Sequence, residues 1–325
     1  MKILVTGGSG FIGSRLIPKF VSEGHEVFAL ARSTSSDGKV RALRATPVRG
    51  DLESSQPLSL PGLDSVVHAA AHFHFAGPRA PYFRTNVDGT VALLRAAEKA
   101  GVGRFVYLSA AAVIMDDRGS PIRNANESAP TFPKSFSAYI ASKAQGEAAV
   151  LAADKLGFRT LALRPSAIWG PGDAFSRELP RAIQSGRFAF IERGDYPIST
   201  CHVDNVIEAV CRASESSVGG RAYFINDPDR RTFRAFVAEL AKIQGLSVDK
   251  LRSMPYGLAF TMARLMEIGA TLTRSNRDPP LTRTLVRLIG REFTTDHSAA
   301  RRDLGYVGRI SWTEGLATYR AAAPR

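Results

Sequence analysis

An α/β architecture is predicted for this 325-residue chain: a doubly wound parallel sheet with a smaller, mostly helical substrate region in its C-terminal part. Three observations carry it. Short apolar runs alternate with helical patterns through the first half, as strand–helix–strand repetition in a parallel sheet requires. A glycine-rich turn closes the first strand and opens the first helix. After Arg164-Pro165 the alternation weakens and Pro and Gly become frequent.

Element by element, residues 3–6 read as a strand and 11–22 as the helix that follows it. Strands are expected at 27–31, 47–49 and 65–68, and a helix at 85–100 closed by Gly101. A fifth strand follows at 104–109, a helix at 138–156 and a sixth strand at 160–163. Beyond it, helices are expected at 176–185, 203–213 and 232–244, with a strand at 222–226. The last hundred residues read as helices separated by Pro and Gly. Two regions result: residues 1–165, and residues 166–325 partly interleaved with them.

Composition narrows the class. The hydrophobic fraction of 44% and charged fraction of 22% are those of a globular protein. Cys201 and Cys211 sit in unrelated contexts, with neither a disulfide framework nor metal-ligand spacing, so a reducing, cytoplasmic setting and no metal are expected. No signal peptide is visible ahead of the first strand. The nearest approach to a membrane span, 256–272, contains Arg264 and Glu267. The net charge is +13. No nucleic-acid motif accompanies it, so anionic substrates or anionic lipid are the better-matched partners.

Residues 6–13 are Thr6-Gly7-Gly8-Ser9-Gly10-Phe11-Ile12-Gly13. Glycines here let backbone approach a pyrophosphate, whose charge suits the helix N-terminus. This is the Rossmann dinucleotide context. An acid ~20 positions on would meet the ribose hydroxyls of NAD, whereas Arg32 suits a 2′-phosphate. NADP(H) is therefore favoured over NAD(H), the alternative being a surface arginine with Asp37 or backbone at the ribose. Tyr139 and Lys143 are four apart and share a helix face. A phenol titrates at roughly 10, and a nearby ammonium lowers that value, so the pair is suited to proton transfer.

In order and spacing these pieces resemble the extended short-chain dehydrogenase/reductase family over residues 1 to about 210. The matching residues are the T-G-x-x-G-x-x-G turn, Gly50-Asp51-Leu52, Val67-His68-Ala69-Ala70, Asn86-Val87-Asp88-Gly89-Thr90, Tyr107-Leu108-Ser109, Tyr139-x-x-x-Lys143, Arg164-Pro165, Gly170-Pro171-Gly172 and His202-Val203-Asp204. The tail, with Pro279-Pro280-Leu281-Thr282, 287–293 and 300–306, is similar to the 3β-hydroxysteroid dehydrogenase and 2-alkyl-3-ketoalkanoate reductase branch. The resemblance implies that Gly7, Gly10, Phe11, Ile12 and Gly13 cradle the pyrophosphate and that Asp51 and Leu52 border the adenine. It puts Ala69 and Ala70 along the stretch from pyrophosphate to nicotinamide, and Pro165 by the carboxamide. Tyr139 becomes the general acid/base and Lys143 its tuner and ribose ligand, while Asp204 anchors structure. Family members are often dimers.

One position departs from the pattern. The family usually has two hydroxyl residues after the fifth strand, the second three residues before a valine and bonded to the substrate oxygen. Counting back from Val113, that second position is Ala110, and Ser109 matches the first. A missing oxyanion donor costs ~10²–10³ in rate. Ser109 after a shift, or a side chain of the substrate region, can replace it; otherwise the activity is altered or absent. His72 or His74 could supply the donor, the alternative being loop packing with polar tips outward. Asn86 is a cofactor-site residue or an N-cap. Met115 and Trp169 fall where the family's substrate pocket lies, with core packing as the default.

Arg283, Arg287 and Arg291 recur at i+4 among apolar residues. Such a stretch can lie on an anionic membrane surface, or be a solvated face over a core-facing stripe. The expected function is an NADP(H)-dependent interconversion of a ketone and a secondary alcohol on an apolar, steroid-like or β-keto acyl substrate. The alternatives are a nucleotide-sugar epimerase or dehydratase, and a dinucleotide-binding protein with an impaired site.

Overall fold

The computed structural model describes residues 1–273 and 279–322. Its main sheet has seven parallel strands: β1 (Lys2–Thr6), β2 (Glu26–Ala31), β3 (Thr46–Arg49), β4 (Ser65–His68), β5 (Arg104–Leu108), β6 (Arg159–Pro165) and β7 (Arg221–Ile225). Their order across the sheet is 3-2-1-4-5-6-7, so the direction of winding reverses between β1 and β4. In open α/β sheets that switch point, at the carboxyl ends of the strands, is where ligands bind.

The strands read as apolar runs because both faces are covered. Ile3, Val5, Val67, Val106, Leu161 and Leu163 face a core shared with α1 (Gly13–Ser22) and α7 (Val203–Glu215). Alternate residues Leu4, Val66, Phe105, Tyr107 and Ala162 face a second core against α4 (Gly89–Lys99) and α5 (Ala138–Ala152). A third core of Trp169, Phe190, Phe236, Val237, Trp312 and Leu316 lies in the C-terminal region. It is built on α6 (Ala174–Gln184), α8 (Phe233–Ile243) and α12 (Trp312–Ala322).

Several elements differ from expectation. The first helix starts at Gly13, because residues 7–12 form the turn. A helix α2 (Thr34–Ala42) follows β2; with Val40 its one buried residue, it has almost no apolar pattern to read, and Ser33 caps it by accepting from Ser36 N. The helix expected at 85–100 begins as α3 (Arg79–Phe83) and passes through a π-turn at Arg84–Asp88 into α4. Pro81 lies within the first turn of α3, where proline is tolerated. The interleaving is extensive. β7 comes from the second half yet extends the main sheet by pairing with β6. Ile122–Ala125 pairs in parallel with Phe293–Thr295. Helices α9 (Tyr256–Leu272), α10 (Arg283–Ile289) and α11 (Ser298–Leu304) complete the chain. Among the described residues, no helix is long and apolar enough to cross a membrane.

Candidate active site

The first βα turn is closed by backbone contact. Gly7 has φ +69°, and a Cβ there would lie 2.9 Å from Ala70 N; one at Gly13 would lie 2.3 Å from Gly7 O. Gly10 N donates to Gly7 O at 2.9 Å. No side chain caps α1, and Ser9 and Gly10 are exposed, so the helix's first N–H groups and the turn backbone fit an anionic phosphate. Phe11 and Ile12 flank the turn, half-buried. Arg15 lies over the Phe11 ring at 4.6 Å and reaches Pro171 O, tying the turn to the Gly170-Pro171-Gly172 loop.

At the end of β2, Arg32 is exposed and makes no ion pair among the described residues. Asp37, the alternative ribose partner, pairs with Arg49. Asp51 closes its own turn by accepting from Glu53 N at 3.0 Å. Leu52 abuts Gly89, where a Cβ would come within 2.9 Å of the leucine's own Cβ.

Behind this surface runs a buried hydrogen-bonded chain. Ala70 N donates to Thr6 Oγ1 (3.1 Å), and Thr6 meets His68 Nδ1 (2.7 Å). On its other side His68 Nε2 meets Thr90 Oγ1 (2.9 Å), which donates to Asn86 O (2.8 Å). One tautomer satisfies every link, with the proton on Nε2. Burial, aided by nearby Lys143, lowers His68 to about 3, so it stays neutral. Asn86 is not an N-cap. It sits inside the π-turn, accepts from His72 N (2.7 Å) and donates to His72 O (3.1 Å) and Ser142 Oγ (3.0 Å). It thus fastens the loop after β4 to α5.

Tyr139, Lys143 and Glu147 descend one face of α5 at i, i+4 and i+8. Lys143 Nζ donates to Leu108 O (2.7 Å) and lies 4.1 Å from the Tyr107 ring centroid. Burial lowers Lys143 to about 7, against the opposing pull of Glu147. Burial also raises the Tyr139 phenol well above its ordinary value. The expected ammonium-driven lowering is therefore not what this arrangement produces, because the half-buried phenol is desolvated and the lysine is turned to a backbone carbonyl.

Ala110 and Tyr139 belong to one apolar cluster with Ala111, Ala112 and Val113. Ser109, beside it, donates its hydroxyl to Glu147 Oε2 at 2.6 Å. Glu147 also holds Arg164 in a two-pronged buried pair, Nη2 to Oε1 at 2.6 Å and Nε to Oε2 at 3.0 Å. The Ser109 hydroxyl is thus committed inward.

His72 and His74 rings lie 4.8 Å apart, and His72 packs edge-on against Tyr82 at 4.6 Å. Phe73, between them and 45% exposed, meets the Tyr139 ring at 4.8 Å. Alternation along the loop put the apolar residue on the tyrosine's side, and only the strand exit direction could have shown it. Met115 and Trp169 are both fully packed in cores. Trp169 donates to Asp227 Oδ2 (2.7 Å), a buried carboxylate that also accepts from Thr200, His202 N and Asn205. The strand Ala167–Trp169, paired with Thr200–His202, draws that indole inward. Pro165 is buried at the end of β6. His202 caps α7, its Nδ1 accepting from Asp204 N at 3.3 Å, and the Asp204 carboxylate lies 3.6 Å from the same nitrogen.

The three arginines of the basic run are all engaged by partners within the fold. Arg287 is buried against Asp116 and Ser120 O, Arg283 pairs with Glu267, and Arg291 lies over Tyr256 while donating to Gly119 O. Among the described residues no cluster of side chains could hold a metal ion.

The chain matches the 3-beta hydroxysteroid dehydrogenase/isomerase family over residues 4–256. It is 40% identical to the 4-hydroxy-2-methyl-3-oxo-4-farnesyl-3,4-dihydroquinoline-1-oxide ketoreductase of Stigmatella aurantiaca, across 100% of this chain and 97% of that protein. It is 33% identical to the 2-alkyl-3-oxoalkanoate reductase of Stenotrophomonas maltophilia, across 99% of each. Among solved structures, a UDP-glucuronic acid 4-epimerase from Bacillus cereus in complex with NAD shares the fold, with a TM-score of 0.73 at 20% identity over 99% of this chain and 98% of that one.

Proposed function

This chain belongs to the 3-beta hydroxysteroid dehydrogenase/isomerase family of extended short-chain dehydrogenase/reductases, and from that premise we propose that it is an NADP(H)-dependent ketoreductase acting on an apolar β-keto acyl or polycyclic ketone. A nicotinamide dinucleotide, when bound, supplies the hydride. The turn at Gly7, Gly10 and Gly13 and the start of α1 would hold its pyrophosphate, with Arg32 taking the 2′-phosphate. Tyr139 gives the proton to the ketone oxygen as the carbonyl carbon is reduced. Its raised pKa keeps it protonated at neutral pH, which suits the reductive direction. Lys143, lowered to about 7 by burial, would hold the ribose hydroxyls of the dinucleotide.

The observation that carries this reading is the surround of Tyr139: alanines 110–112 on one side and the exposed Phe73 ring on the other. Such walls suit an apolar ketone better than a sugar diphosphate. Both relatives described above are named as reductases of oxo compounds, which supports the same class. NADPH oxidation on adding 2-alkyl-3-oxoalkanoates or 3-keto steroids tests it, and a panel that elicits none overturns it.

One observation favours a second reading. With Ala110 in the wall and the Ser109 hydroxyl given to Glu147, neither residue offers the carbonyl oxygen a second donor. The chain would then bind dinucleotide without turnover. Saturable NADPH binding, no turnover, and activity gained in Ala110→Ser would establish that reading instead.

A further inference from the structure

Arg15 bonds to both halves of the site at once. It stands third in α1, half-buried, with its guanidinium 4.6 Å from the Phe11 ring centroid. Nη1 donates to Phe11 O at 3.0 Å, and Nη2 donates to Pro171 O. The first carbonyl belongs to the dinucleotide turn. The second belongs to the loop that leads into the substrate region.

The bond to Phe11 bears on the turn's ability to hold a phosphate. Phe11 O also accepts from Ser14 Oγ at 3.2 Å, so both of its lone pairs are taken by α1. In a trans peptide the carbonyl and the following N–H point in opposite directions. Holding Phe11 O therefore aims the Ile12 N–H the other way. That N–H has no acceptor among the described residues, and it lies on the turn that fits a pyrophosphate.

The bond to Pro171 reaches a closed turn. Gly170 N donates to Asp173 Oδ2 at 2.9 Å, and Asp173 N donates to Gly170 O at 3.1 Å. A Cβ on Gly170 would lie 2.8 Å from Val203 Cγ1, so the turn is pressed against the start of α7. Trp169 roots it in the third core, and α6 starts directly after it. The Pro171 carbonyl is thus placed by the substrate region, and a shift of either carbonyl pulls the guanidinium off the other.

Charge gives the bridge a direction. Arg15 makes no ion pair among the described residues. A cation in the first turn of a helix opposes the positive end of the helix dipole, and the first turn of α1 holds no acid to offset it. An anion on the turn reverses that sign, so a bound pyrophosphate favours the bridged arrangement. By linkage the bridge favours the bound pyrophosphate to the same degree.

We propose that Arg15 is a positioning residue that couples the dinucleotide turn to the substrate loop. Dinucleotide binding and the setting of residues 170–173 stabilise each other through its two carbonyl bonds. The coupling rests on dinucleotide binding and not on the ketone-reduction reading.

The test compares wild type with Arg15→Gln and Arg15→Lys. Lysine keeps the charge but replaces a planar fork by a point ammonium, so it does not rebuild the two-carbonyl bridge. Fluorescence titration reads the NADPH dissociation constant. Amide hydrogen exchange, with and without saturating NADPH, reads residues 7–13 and 170–184. In wild type, NADPH should slow exchange in both segments. Each variant should bind NADPH about tenfold more weakly and lose the protection of 170–184 while keeping that of 7–13. Wild type whose 170–184 exchange ignores NADPH overturns the proposal, whatever the variants do. Variants that bind NADPH as wild type does, or that keep its effect on 170–184, also overturn it. Full affinity and protection in Arg15→Lys overturn it as well, reducing Arg15 to a charge. A wild type that binds no NADPH overturns the dinucleotide reading itself, and absent ketone turnover touches neither readout.

Discussion

At the scale of residues, the candidate site is a short list of groups whose neighbours set what each can do. Tyr139 is a desolvated phenol, protonated at neutral pH, so its loss removes the proton donor and not the fold. Tyr139→Phe should lower kcat for ketone reduction by about 10²- to 10⁴-fold with NADPH affinity retained, read by stopped-flow and by fluorescence titration. Arg32 is exposed at the end of β2 and makes no ion pair among the described residues, while Asp37 is held by Arg49. Arg32→Ala should raise KM for NADPH by about 10- to 100-fold, the worth of a charge-assisted hydrogen bond, and leave that for NADH unchanged. An equal effect on both cofactors would place the 2′-phosphate elsewhere. The motif residues at these positions could be read from spacing. Phe73 could not, because its neighbours His72 and His74 have the more suggestive chemistry and only the direction of the chain decides which side chains face the ring.

At the scale of elements, the fit between α5 and the π-turn matters most. A Cβ on Gly146 would lie 2.4 Å from Asn86 O and 2.7 Å from the Tyr107 hydroxyl. A helix-interior glycine costs about 1 kcal/mol in propensity, and this one is explained by the close approach it permits. Gly146→Ala should destabilise the protein by about 1–3 kcal/mol despite its better helix propensity, as overpacking does. Gly38, inside α2, is the control: nothing lies within 4 Å of its added Cβ. Gly38→Ala should stabilise by about 1 kcal/mol. Urea denaturation of the two variants reads both signs. The same comparison shows why α2 and the π-turn escaped the sequence reading. The first buries only Val40, and the second differs from an α-helix by one residue of hydrogen-bond register, which no apolar period records.

At the scale of the whole molecule, the buried polar chain through His68 couples the site to global stability. The unfolded histidine titrates near 6.5 and the folded one near 3, so the unfolded state takes up the proton first as pH falls. Stability should therefore be complete above about pH 6.5 and decline below it, by up to about 1.4 kcal/mol per pH unit for this group, until the folded pKa is reached. Wild type minus His68→Gln between pH 4.5 and 6.5, a window chosen above the carboxylate pKa range of roughly 4, should show that slope in denaturation midpoints; parallel profiles would remove His68 from the account. Sequence alone determined the parallel sheet, the dinucleotide turn and the Tyr139–Lys143 face, because each rests on local period or on glycine spacing. Tertiary structure decided the rest. β7 joins the sheet from sixty residues downstream of its partner, Ser109 turns to Glu147, Trp169 is drawn into a core, and the arginines of 283–291 turn inward while the α9 leucines face out. The physical reason is common to all of these. Which side of an element is buried depends on what packs against it, and partners distant in sequence leave no period in the residues they cover.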